Sequence, residues 1–185
     1  MPFGVDISEV TARQAAGAFE DASLRAVAGD VRSLPFRDGS FDAIYSMGTI
    51  EHFPSPERAL AEIRRVLRPG GRAVVGVPNR HDPFLRPLLV ALLWRLGLYP
   101  YGYERSFSRR RLRRLVQVAG LRVVDETGIL FLPGWLRMLE LACRRCCPPL
   151  AALAGAAVQP FAWLDRKLPA LRRHGYLVVC VAEKP

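Results

Sequence analysis

The feature that most constrains this chain is an alternation of short apolar runs with helix-patterned segments across its first 80 residues. Residues 3–7, 24–28, 41–47 and 72–77 each have strand length and strand-favouring side chains. Between the first two, Ser8 and Glu9 open a helical pattern over residues 10–19. Between the last two, Ser55-Pro56-Glu57 supplies an N-cap residue, a first-turn proline and an acid at the positive end of the helix dipole. Leu60, Ile63 and Leu67 then recur at helical spacing, and Arg68-Pro69-Gly70-Gly71 stops the helix as turn chemistry. The order strand, helix, strand, loop, strand, helix, strand predicts a parallel sheet with helices on its faces. Ligands of such sheets sit beyond the carboxyl ends of the strands, where Asp6, Asp30, Met47 and Gly48 all fall.

The remainder is less regular. Residues 83–99 are apolar apart from Arg86 and Arg95. Ser108 starts a helical pattern that Gly120 ends, and residues 121–125 and 176–182 read as strands. Residues 129–170 are hydrophobic and interrupted by prolines, which predicts helix in pieces. A chain of 185 residues suits one domain. The expected organisation is a β/α core at 1–80 with insertions at 81–106 and 129–174.

The most specific stretch begins Gly29-Asp30-Val31-Arg32-Ser33-Leu34-Pro35-Phe36. It continues through Asp38-Gly39-Ser40-Phe41-Asp42-Ala43-Ile44, then Glu51-His52-Phe53, then Glu62-Ile63-Arg64-Arg65-Val66-Leu67-Arg68-Pro69-Gly70-Gly71. In order and spacing it resembles the class I S-adenosylmethionine-dependent methyltransferases of the type-11 group. The likeness is closest from Gly4 to Asn79 and extends over residues 107–125 and the last strand. It implies a Rossmann-like, doubly wound, mostly parallel α/β sheet and S-adenosylmethionine as cofactor. The family's site begins with a further strand and a glycine-rich loop ahead of Asp6. The chain is therefore expected to be N-terminally truncated relative to that fold, as a fragment or as a remnant that no longer methylates.

Each candidate site residue has two readings. Asp6 is either a helix-start acid or an acceptor for ribose hydroxyls; the resemblance implies the second, with Ile7 against the adenine. Asp30 is a turn aspartate on its own, but the resemblance implies contact with the adenine amino group, and with Val31 N–H at a ring nitrogen. Met47 and Gly48 border the cofactor's methionine part in the family, although Met47 equally suits a core filler. Asp42 is expected to be structural. Methyl transfer is an in-line displacement in which the cofactor brings the reactive group, so the protein chiefly positions it. A base is needed only for an acceptor oxygen or nitrogen that must lose a proton. His52 and His81 are the candidates, each also readable as a surface or capping histidine.

The formal net charge is +10, almost all of it from arginine, which favours anionic partners. Residues 105–114 hold six arginines with Leu112 among them, either a solvated helix face or a contact for an anionic membrane or phosphate. Residues 146–164 carry no charge over 19 positions, but Pro148, Pro149 and Pro160 argue for a lid or interfacial patch rather than a span. These apolar insertions predict a small hydrophobic acceptor, such as a lipid, quinone or natural product. The alternative is a non-catalytic remnant acting as a binding or membrane-peripheral module. Nucleic acid is disfavoured, because Ser46-Met47-Gly48-Thr49 follows the third strand in place of an Asn/Asp-Pro-Pro-Tyr/Phe motif. Cys143, Cys146 and Cys147 lack the second pair that a zinc site needs, so no metal is expected. The four cysteines and the opening residues predict reduced thiols in the cytoplasm, with association at a membrane surface an extension of that reading.

Overall fold

The computed structural model describes residues 1–17, 25–99 and 102–185. Its elements run β1 (Phe3–Asp6), α1 (Glu9–Gly17), β2 (Arg25–Ala28), β3 (Phe41–Met47), α2 (Pro56–Val66), β4 (Leu67–Pro78), α3 (Arg86–Arg95), α4 (Arg109–Val118), β5 (Arg122–Ile129), α5 (Gly134–Cys146), α6 (Pro148–Lys167) and β6 (Leu177–Glu183). Single 3₁₀ turns at Ile50–His52 and Pro169–His174 complete it. The last residues of the first predicted helix and Leu24 of the second predicted strand lie outside the described residues.

The strands form two sheets. β1 and β2 pair in parallel. The larger sheet has the order β3-β4-β6-β5, with β3 parallel to β4 and β6 antiparallel to both its neighbours. Three of its four strands thus run one way. β4 and β6 are central and buried on both faces: Ala73, Val75, Val77, Val178, Cys180 and Ala182 on one, Gly76, Pro78, Leu177 and Val179 on the other. That pattern is the one a sheet covered on both sides requires.

The core is built as the helical spacing predicts. Leu60 and Ile63 of α2 and Leu67, the first residue of β4, share one cluster with Val75 and Val77 of β4 and Leu112 and Val116 of α4. Arg65 on α2 holds the loop before β3. It donates to the carbonyls of Leu34 and Phe36 and to Asp38 and Glu62, while Glu62 accepts the Leu34 N–H. Ser108 caps α4 by accepting the Arg111 N–H at 3.3 Å; Ser55 stands at the α2 cap position without such a bond.

Two expectations are amended. The turn at 68–71 does not precede a strand but interrupts one. Phe41 pairs with Leu67 and Ala43 with Arg72, so the four residues between are extruded, with Gly70 at φ 74°. Gly70 N–H and Gly71 C=O then bond Lys184 beyond β6, which keeps the excursion in the sheet. The strand expected to end at residue 125 continues to Ile129, because all of it pairs with β6. As expected, the 129–170 stretch is helix in pieces: α5 ends at Cys146, α6 begins at Pro148 and a 3₁₀ segment begins at Pro169. Pro148 occupies the first turn of α6, where its missing N–H costs nothing, and Pro160 sits within that 20-residue helix on an exposed face.

Among the described residues no helix is long and apolar enough to cross a membrane, and no disulfide links the cysteines.

Candidate functional site

Among the described residues, β1 and β3 each have a strand partner on one edge. Between them lies a cavity of about 860 Å³, lined by residues of β1, of β3, of the loop around Asp30 and of the turn after β3. This is within the size range of small-molecule sites. Phe3, Phe36 and Phe41 stack edge to face, with centroids 4.8 to 6.0 Å apart, and wall one part of it. Tyr45 stands 73% exposed on the cavity side of β3, where no neighbouring strand covers it.

Six of the predicted site residues line this cavity together: Asp6, Ile7, Asp30, Val31, Gly48 and His52. They come from three separate strand ends, so the parallel connections bring together residues up to 46 positions apart. Met47 and His81 are not in the lining. The Met47 thioether instead lies over Gly76 of β4, where a Cβ on that glycine would collide with it. Met47 therefore packs as the core filler of its two readings. His81 is exposed beyond β4, its backbone N–H on Asn79 Oδ1. Asp42 is exposed and ion-paired with Arg68 at 2.5 Å, across the ladder that joins β3 to β4.

Local chemistry orients the cavity residues. Asp6 Oδ1 accepts the Ser8 N–H at 2.8 Å, fixing the carboxylate at the start of α1. Asp30 is gripped by its neighbour: Arg32 donates to both oxygens through Nε and to Oδ2 through Nη2, and its backbone N–H reaches Oδ1. The Arg32 hydrogen bond holds the Asp30 carboxyl below the usual range. Arg32 also covers the face of Phe53, 4.6 Å from its centroid. Gly48 turns the chain out of β3 at φ 69°, a region glycine enters without strain, and its N–H bonds Gly76 C=O. His52 Nδ1 lies 2.8 Å from the Tyr103 carbonyl oxygen. A carbonyl only accepts, so Nδ1 carries the proton and Nε2 is left as an acceptor.

Behind the turn after β3 is a buried ionic cluster that pattern reading passed over. Arg86 and Glu104 pair at 2.6 Å with both side chains 5% exposed. Tyr99 donates its hydroxyl to the same carboxylate, and the Arg86 guanidinium sits 4.6 Å from the Tyr176 ring centroid. Burial works against the Arg86 charge, but Glu104 outweighs it and raises the Arg86 pKa. Sequence held one signal: Glu104 is the sole acid between Asp82 and Asp125.

Glu51 is 2% exposed beside this cluster, with Oε2 unpartnered. Burial pushes its carboxyl up to about 7; His52 and Arg86 pull it down and Glu104 pushes it further up. The raised value means the folded chain binds the Glu51 proton more tightly than the unfolded one. The associated stability is fully present below about pH 4.5 and is lost as pH rises through about 7. Unfolding free energy at pH 8 is therefore expected to lie up to about 3 kcal/mol below that at pH 4.5 from this group alone. Glu51→Gln should remove that slope in urea titrations across the interval; an unchanged slope would assign it elsewhere.

Comparison with known proteins adds the following. Residues 2–75 match the methyltransferase domain family. A probable S-adenosylmethionine-dependent methyltransferase of Mycolicibacterium smegmatis is 27% identical over 171 residues, covering 89% of this chain and 59% of its own. The 2-methyl-6-phytyl-1,4-hydroquinone methyltransferase 2 of rice is 36% identical over 98 residues, 51% of this chain and 28% of its own. The chain thus spans less than two thirds of these relatives. A solved S-adenosylmethionine-dependent methyltransferase from Thermotoga maritima superposes over 100% of this chain and 73% of its own, with TM-score 0.63 at 23% identity. That likeness is one of fold.

Proposed function

We propose that this chain, a methyltransferase domain of the class I S-adenosylmethionine-dependent type, binds that cofactor in the cavity between β1 and β3 and serves methyl transfer to a small hydrophobic acceptor. The observation that carries the reading is the convergence of Asp6, Asp30, Gly48 and His52 on one cavity. The cofactor, when bound, supplies an electrophilic methyl group on a sulfonium.

The residues present fit such a ligand. Asp6, held by Ser8, offers acceptor oxygens to ribose hydroxyls. Ile7 and Val31 offer apolar surface to a base, and Gly48 allows close backbone approach. Asp30 receives an adenine amino group only when Arg32 releases its carboxylate, so cofactor binding there includes a side-chain exchange. His52 holds its proton on Nδ1 against the Tyr103 carbonyl, which leaves Nε2 ready to take a proton from an acceptor hydroxyl or amine. The hydrophobic acceptor class rests on relatives that include the phytyl-hydroquinone methyltransferase.

A second reading, a non-catalytic binding module, is favoured by one observation: β1 and β3 bring edges without strand partners to the cavity. Calorimetric titration with S-adenosylmethionine separates the two. Micromolar binding, weakened at least about tenfold by Asp6→Ala, is the expected result, since a charged hydrogen-bond acceptor contributes about 1.5 kcal/mol or more. A folded chain that binds no cofactor overturns the enzyme reading.

A further inference from the structure

We infer that α3, together with the adjoining end of α6, forms a docking surface for an anionic phospholipid bilayer. The inference goes beyond the cofactor site and uses none of its residues. It starts from an oddity of burial. On α3 the side chains of Leu88, Leu92 and Trp94 are 67%, 54% and 61% exposed, and Leu96 and Leu98, just beyond it, are 60% and 66% exposed. At about 100° per residue Leu88 and Trp94 point to well-separated sides, so the helix shows apolar surface to more than one direction. Exposed leucines and an indole on one short helix, ended by an arginine, are side chains that a lipid interface accepts.

Two sets of contacts fasten the start of α3 to the body. There Arg86 is locked to Glu104 and Tyr176, and Phe84 meets Phe131 and Phe161, each ring pair 5.3 Å between centroids. Phe161 belongs to α6, so the end of that helix adjoins the start of α3; Trp163, 54% exposed, projects from another side of it. None of these side chains lines the 860 Å³ cavity, which is walled by residues 1–66 alone, so they are not its lid.

Charge selects the occupant. Within 83–103 the two charged residues are Arg86, already neutralised by Glu104, and Arg95. Arg166 and Lys167 end α6 next to Trp163. The acid among them, Asp165, is 3.6 Å from Arg172. A second copy of the chain would bring the same cations to the same surface and be repelled. An anionic bilayer meets apolar residues with its acyl boundary, indole rings with its headgroup layer and cations with its phosphates. α3 has 10 residues, about 15 Å of helix, which suits lying in the interface and is half of a span.

The test is co-sedimentation of the full chain with vesicles of phosphatidylcholine alone or mixed with phosphatidylglycerol, with tryptophan emission recorded in parallel. Binding to the mixed vesicles with a blue shift, weakened by salt and at least about tenfold stronger than to phosphatidylcholine, is the expected result. Leu88→Glu/Leu92→Glu should reduce binding at least about tenfold while far-ultraviolet dichroism stays unchanged, because both side chains already face solvent. Absence of vesicle binding by the folded chain overturns the inference. So does self-association that the same double substitution abolishes without any effect of lipid.

Discussion

Glu104→Ala is expected to lower unfolding free energy by about 3–5 kcal/mol, the cost of leaving one member of a buried ion pair without its partner. The physical reason is specific. Arg86 and Glu104 are both 5% exposed, so the guanidinium left behind cannot recover its hydration. Tyr99 loses the acceptor of its hydroxyl, and the Tyr176 ring remains as the compensation for the Arg86 charge. Urea unfolding at pH 7 reads the loss directly. Two companions make the result diagnostic. Glu104→Gln retains hydrogen bonding but not charge and should fall between wild type and alanine. Arg86→Met/Glu104→Leu removes both charges at once and should cost much less than Glu104→Ala, since apolar replacement of a whole buried pair is often neutral. A Glu104→Ala cost below about 1 kcal/mol would mean that the pair is solvated, as surface pairs are.

The second large effect is expected at Phe107. Its side chain is fully buried, within the cluster formed by α2, α4, β4 and β6. Its backbone N–H donates to Pro78 C=O at 2.8 Å, and its carbonyl accepts the Arg80 N–H at 2.9 Å, so it extends the carboxyl end of β4 by one bridge. Phe107→Ala should cost about 3–5 kcal/mol through lost transfer free energy and an unfilled cavity. Phe107→Leu, which keeps most of the volume, should cost about 1.5 kcal/mol or less. Thermal and urea unfolding check both. Arg111 lies over the same ring, 5.3 Å from its centroid, so Phe107→Ala also frees one of the six clustered arginines.

Legibility varied along the chain for physical reasons. α2 was readable because three local signals coincide: a first-turn proline, an acid beside the dipole, and an apolar stripe at Leu60, Ile63 and Leu67. The cavity residues were readable because a parallel sheet puts its ligands at strand ends, so position in the strand pattern marks Asp6, Asp30 and Gly48 before any coordinate exists. His52 came with them, as the residue just past the third such end. Met47 shows the limit of that argument. It occupies a strand end too, but its thioether lies over Gly76 of the neighbouring strand instead of lining the cavity. The Arg86 cluster was out of reach for a different reason. Arg86, Tyr99, Glu104 and Tyr176 follow no period, and in sequence Arg86 reads as a charge interrupting an apolar run.

What the sequence determined by itself was what local rules and strand order control: the alternating elements of the first 80 residues, the helix starts, the apolar positions of the core and the family likeness. Tertiary structure decided what depends on contacts between distant segments. It set β6 between β4 and β5, separated β1 and β2 into their own sheet, and drew the 68–71 turn into a strand through bonds to Lys184. It also chose which apolar runs are buried. The run over β4 is covered on both faces, while the equally apolar run over α3 stands in solvent. Hydropathy is a property of the residue, but burial is a property of what the rest of the chain places beside it.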